Sequence, residues 1–171
     1  MTGEQDQTPP YPASGPTVQL PDHPNVIALP PLIYLVSILI GVGLHILWPI
    51  PLLSRSAAKW LGRAFISLSI AIAMLTLREF RRSNTSFRTD RSTTSLIQSG
   101  PFGYTRNPFY LAASACYLGI ALYVNSFWLL AMLLPTLVVI TKGVVEREER
   151  YLERKFGREY LKYKQSVRRW L

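Results

Sequence analysis

The chain has 171 residues, of which 49% are apolar and only 17% charged, and it carries a net charge of +9. Blocks nearly free of charge alternate with Arg-rich blocks, the pattern of a multi-spanning membrane protein rather than a soluble core. The single cysteine excludes an intrachain disulfide and a structural cysteine site for zinc. Basic residues beside apolar segments point to anionic lipid headgroups rather than nucleic acid.

Residues 1–31 contain eight of the 13 prolines, three acids (Glu4, Asp6, Asp22) and no Lys or Arg. No apolar period runs through them, so they read as a disordered, partly polyproline tail without the basic start of a signal peptide. Residues 32–171 then form a single membrane domain. Its first span covers about Leu32–Trp48, where Gly41 and Gly43 suit close helix approach. His45 near its far end reads as a neutral, hydrogen-bonded histidine, and Trp48, Pro49 and Pro51 as an interfacial turn. The second span runs from about Trp60 to Leu77, opened by Lys59 and Arg63 and closed by Arg78, Arg81 and Arg82. A polar connector follows over Ser83–Thr94.

Gly100-Pro101-Phe102-Gly103-Tyr104-Thr105-Arg106-Asn107-Pro108 then leads into an apolar helix over about Phe109–Val124. Asn107 suits an N-cap and Pro108 the first helical position. The positive end of that helix beside Arg106 makes an anion site; the alternative is a plain cap whose arginine meets lipid phosphates. Only Asn125-Ser126 separates this span from a fourth over 127–143, so the two form an antiparallel hairpin, with Pro135 kinking its second arm. Of the 19 basic residues, three (Arg55, Lys59, Arg63) fall between the first two spans and the other 16 in the connector and C-terminal segment. The positive-inside rule puts that richer face, with both termini, in the cytoplasm.

Past the fourth span, Val145, Glu148, Glu149, Leu152 and Phe156 share one helical stripe, while Glu146 and Arg150 make an ordinary i,i+4 pair. Glu148 and Glu149 are therefore carboxylates on the apolar side of a basic amphipathic helix. They need a cationic partner, either connector arginines that fasten the helix or a bound ligand. After a break at Gly157, Tyr160, Tyr163, Val167 and Trp170 continue the stripe toward the membrane surface, with Trp170 as an interfacial anchor. A helix N-terminus, an arginine, tyrosines and two inward carboxylates together suit a zwitterion with hydroxyls, which is the inventory of S-adenosylmethionine.

Gly-Pro-Phe-Gly-Tyr-Thr-Arg-Asn-Pro-Phe-Tyr, followed by Arg-Glu-Glu-Arg-Tyr-Leu-Glu-Arg-Lys-Phe-Gly-Arg-Glu-Tyr, resembles the isoprenylcysteine carboxyl methyltransferase and phospholipid methyltransferase superfamily. The likeness is strongest over residues 96–171, the expected cofactor half. It implies an all-α integral membrane enzyme without a Rossmann domain, binding S-adenosylmethionine and releasing S-adenosylhomocysteine. Arg106, Asn107, Pro108 and Tyr110 stand at the Arg-His-Pro-x-Tyr signature and Glu148 and Glu149 at the Glu-Glu pair. With Tyr104 they are the expected cofactor pocket, Arg106 and Glu149 being the catalytic pair, and no metal is expected. Asn107 replaces a histidine and Gly103 an arginine of relatives. Without that histidine, a lipophilic carboxylate entering from the bilayer is the favoured methyl acceptor, and a phospholipid or other amine the alternative. Outside this class, a nicotinamide-dependent membrane reductase and a non-enzymatic protein binding anionic lipid stay open.

Overall fold

Pro30 and Pro31 start the first helix, where a missing N–H has no intrahelical partner to lose. The computed structural model describes residues 26–82 and 96–171, so the readings of the tail before Val26 and of the polar connector lie outside the described residues. Helix α1 is Pro30–Leu47 and α2 is Arg55–Arg82. After a 3₁₀ turn at Gly100–Gly103 come α3 (Pro108–Val124) and α4 (Phe127–Ile140). A π-turn at Thr141–Val145 joins α4 to α5 (Glu146–Phe156), and α6 (Arg158–Ser166) is the last helix. The protein is all-helical, with no strand among the described residues.

Among the described residues, three helices are long and apolar enough to cross a membrane: α1, α2 and the rod Phe127–Phe156; α3, at 17 residues, is a shorter apolar helix. At 1.5 Å per residue the 30-residue rod is about 45 Å long. It therefore outruns a hydrocarbon core of about 30 Å, and its charged end, α5, stands outside the apolar layer.

The hairpin forms as its short link dictates. Asn125 takes the left-handed conformation (φ 59°) that ends α3, and the Ser126 hydroxyl accepts from the Leu129 N–H to start α4. The Asn125 side chain also accepts from the amides of Leu52 and Leu53 at 2.9 and 3.0 Å, tying the hairpin tip to the turn before α2.

In lipid there is little hydrophobic drive between helices, so contact depends on small residues and interhelical hydrogen bonds. A methyl group on Gly62 would lie 2.6 Å from the Tyr123 backbone nitrogen, and one on Gly119 would lie 2.9 Å from that of Ile66. These two glycines let α2 and α3 meet at backbone distance. Of the glycines expected to serve this purpose, Gly41 does so against Leu129, whereas Gly43 faces open space. Between α1, α3 and α4, Ser37 Oγ lies 3.0 Å from the Tyr117 hydroxyl and 2.6 Å from Thr136 Oγ1. Tyr34 OH lies 2.8 Å from Ser114 Oγ. Such bonds contribute roughly 1 kcal/mol each within a membrane.

Two readings change at the ends of the spans. Val26 packs on the core and the Ile27 amide donates to the Gly143 carbonyl at 3.3 Å, so the last part of the tail belongs to the fold. His45 Nδ1 is buried without a hydrogen-bond partner, so the hydrogen-bonded histidine expected there does not form at that atom.

Candidate cofactor site at the charged end of the bundle

The Gly/Pro motif is held from both sides. Ser99 Oγ donates to Glu79 Oε2 of α2 at 2.7 Å, and the Phe80 and Phe102 rings meet edge-on at 5.6 Å. From α6, the Tyr163 hydroxyl donates to the Phe102 carbonyl at 2.8 Å. The chain after α6 then crosses the motif as a strap. The Arg106 amide donates to the Arg168 carbonyl at 3.0 Å, and Thr105 Oγ1 and Asn107 Nδ2 both donate to the Arg169 carbonyl, at 3.1 and 2.9 Å.

This corrects the role of Asn107. It occupies the N-cap position before Pro108, but its side chain makes no cap bond to the helix. The Arg169 carbonyl takes its amide instead, accepting it on a second lone pair beside the Thr105 bond.

The strap also closes the charge cluster. Glu149 is only 4% exposed. Arg106 Nη2 lies 3.1 Å from its Oε1, across 43 positions of sequence, and both side chains are buried. Arg169 reaches the same carboxylate as a fork, Nη2 at 2.8 Å from Oε2 and Nε at 3.2 Å from Oε1. Its Nη1 lies 3.4 Å from Glu146 Oε1. Such planar two-point pairing is what a guanidinium does better than an ammonium. Glu146 thus faces Arg169 rather than forming the pair expected with Arg150, which is exposed. The strap accounts for this, since it brings the Arg169 guanidinium within 3.4 Å of Glu146 while Arg150 points to the exposed side of α5.

Glu148 is treated differently. Among the described residues it pairs with no cation; it accepts one hydrogen bond, from the Tyr110 hydroxyl at 2.7 Å. Burial pushes its carboxyl up to about 7, the neighbouring Glu149 charge adds to this, and the Tyr110 bond works against it. Arg106 has a vacancy of its own. Its Nη1 lies 3.5 Å from the Lys164 carbonyl, but its Nε is buried without a partner.

The fold therefore gathers Arg106, Asn107, Tyr110, Glu148 and Glu149 at the mouth of α3, with Pro108 as its first residue. Tyr104 is not gathered; it is 81% exposed and points away. The Tyr160–Tyr163–Trp170 stripe is corrected as well. Tyr160 and Tyr163 are 1% and 4% exposed and meet edge-to-face at 6.0 Å, and Trp170 packs on the core, so this stripe faces the protein rather than the membrane surface. Burial raises both tyrosine hydroxyls above their ordinary range, with Arg106 opposing. The principal residue that sequence reasoning missed is Arg169. In a basic tail it has no spacing to set it apart from its neighbours; only the strap's return over the motif does.

The sequence matches the phospholipid methyltransferase family over residues 57–159, well over half of the chain, including both the Arg106 motif and the twin acids. One curated relative, described as an uncharacterized protein from Haemophilus influenzae, is 60% identical over 35 residues, 20% of this chain and 56% of that protein. The chain thus spans little more than half the length of this relative. No solved structure matches. The resemblance seen in the motifs is met by the family match: the chain belongs to the phospholipid methyltransferase family.

Proposed function

We propose that the protein moves a methyl group from S-adenosylmethionine to a lipophilic acceptor at the charged end of the bundle. The observation that carries this reading is the buried meeting of Arg106 with Glu149, beside a Glu148 that has no cation of its own. The donor set fits the cofactor. The unpartnered Arg106 Nε offers a donor for its carboxylate, and Glu148 an acceptor for its ammonium. When bound, the cofactor supplies a methyl group made electrophilic by the sulfonium. The protein's share is alignment and exclusion of water: Glu149 holds both guanidiniums in place, and Tyr110 holds Glu148.

A carboxylate acceptor needs no base, only a guanidinium to orient it, and Arg106 and Arg169 are the available ones. An amine is the second reading, favoured by Glu148: a carboxyl near 7 can take the proton that an ammonium must lose before it attacks. The acceptor enters from the bilayer and the cofactor from the cytoplasm, the face assigned to the 16 basic residues and both termini.

Equilibrium binding of S-adenosylhomocysteine to the detergent-purified protein tests the proposal. Micromolar binding that is lost in Arg106→Ala and Glu148→Gln is expected. Binding of NADPH in its place overturns the proposal in favour of a reductase. Methyl transfer to a prenylcysteine, compared with phosphatidylethanolamine, separates the two acceptors.

A further inference from the structure

The opposite end of the bundle holds a second set of cations. Arg55 and Lys59 stand one helical turn apart at the start of α2, and both are exposed. They line a cavity of about 600 Å³ together with His45, Tyr123, Leu53 and Val124. Arg63, a turn further on, stacks over the rings of Trp60 and Tyr123 at 5.6 and 5.9 Å.

Among the described residues nothing neutralises this group. The sequence has no Asp or Glu from His23 to Arg78, nor from Arg91 to Val145. Among the described residues neither Arg55 nor Lys59 has an acidic partner. The buried His45 Nδ1 has no hydrogen-bond partner either. The depth of the cavity is marked by exposed Trp48 and Trp60, at 67% and 70%, and by the Trp128 indole bonded to the Trp48 carbonyl at 2.6 Å. Such amphipathic rings settle at the headgroup level of a bilayer.

We infer that this cavity binds the phosphate of an anionic phospholipid, with Arg55 and Lys59 as counter-ions, His45 Nδ1–H as a buried donor, and Leu53 and Val124 against the glycerol and upper acyl chain. A lining that combines cations with apolar residues matches a lipid better than a free anion, which would leave the apolar part uncovered. This lipid is not the methyl acceptor. Helix α3, with the Arg106 cluster at one end and this cavity at the other, is 17 residues long and places the two about 25 Å apart.

The test is native mass spectrometry of the full chain released from detergent, titrated with phosphatidylglycerol and, separately, with phosphatidylcholine. One phosphatidylglycerol retained at a concentration where phosphatidylcholine is lost, with retention at least fivefold weaker in Arg55→Gln/Lys59→Gln, supports the site. A two- to fivefold weakening in His45→Leu supports the buried donor. A control double change at the charged end, Arg158→Gln/Lys162→Gln, leaves retention unchanged. Equal retention by the Arg55→Gln/Lys59→Gln protein overturns the inference, as does equal loss in the control. Displacement of the lipid by millimolar inorganic phosphate overturns the lipid assignment in favour of a soluble anion. Circular dichroism of each variant shows that it has folded, and none of these readouts depends on methyl transfer.

Discussion

The two ends of the bundle use arginine in opposite ways. At the mouth of α3, Arg106 and Arg169 converge on Glu149; the Arg106 and Glu149 side chains are buried, and Arg169 reaches them from the half-buried strap. At the far end, Arg55 and Lys59 stand beside a cavity in a stretch of sequence without acids. A buried charge must be matched within the protein or by a ligand, whereas a charge at headgroup level is matched by lipid. Composition alone counts both sets as basic residues flanking apolar spans. Their partners separate them: protein carboxylates at one end, the bilayer at the other.

Removing a charge from each end sharpens that contrast. Glu149→Ala leaves a buried Arg106 uncompensated and is expected to cost about 3 kcal/mol of stability, read as a lower Tm in detergent. Loss of S-adenosylhomocysteine binding accompanies it. Arg55→Gln/Lys59→Gln leaves no acid stranded, so its stability in delipidated detergent changes by no more than about 0.5 kcal/mol. A large loss there would erase the distinction between the ends.

The scaffold between the ends gives the next effect. Gly62→Ala forces a methyl group against the Tyr123 backbone, which cannot swing aside, and is expected to destabilise by about 1–3 kcal/mol. Gly43→Ala meets open space and is expected to be neutral or to stabilise by about 0.5 kcal/mol, through lower chain entropy in the unfolded state. Thermal unfolding of the two variants side by side checks the pair.

Within the charged end, Glu148 contributes a pH dependence of its own. Its carboxyl is raised from 4.5 to about 7 in the folded protein. Between those values the unfolded chain binds fewer protons than the folded one, so this group lowers stability as pH rises through that window. Glu148→Gln removes that slope, and unfolding followed between pH 4.5 and 7.5 measures it. Tyr110→Phe takes away the bond that holds the value down, so the fall in stability extends to higher pH. The shift is smaller than the change made by Glu148→Gln.

Much of the fold was legible because its causes are local. Spans of 17 or 18 apolar residues, a two-residue link and prolines at a helix start leave few alternatives for a chain in lipid. The twin acids were legible for the same reason: helical spacing places Glu149 on the buried stripe whatever it packs against. Readings that required knowing a neighbour fared differently. Gly62 and Gly119 are no more conspicuous in the sequence than Gly43, and only the approach of α2 to α3 separates them. Asn107 has the right chemistry for a cap, and its amide is claimed by a carbonyl 62 positions away.

Length, hydropathy and charge spacing determine by themselves that this is a helical membrane protein with a charged end and twin carboxylates on an apolar face. Each follows from the chain's own period of 3.6 residues and from the cost of placing charge in hydrocarbon. What only the tertiary structure decides is which charges meet. The π-turn at Thr141–Val145 rotates α5, and the strap returns over the motif to bring Arg169 onto Glu149, leaving Glu148 to Tyr110. No periodicity encodes that allocation, because a guanidinium pairs with whichever carboxylate the packing brings within about 3 Å.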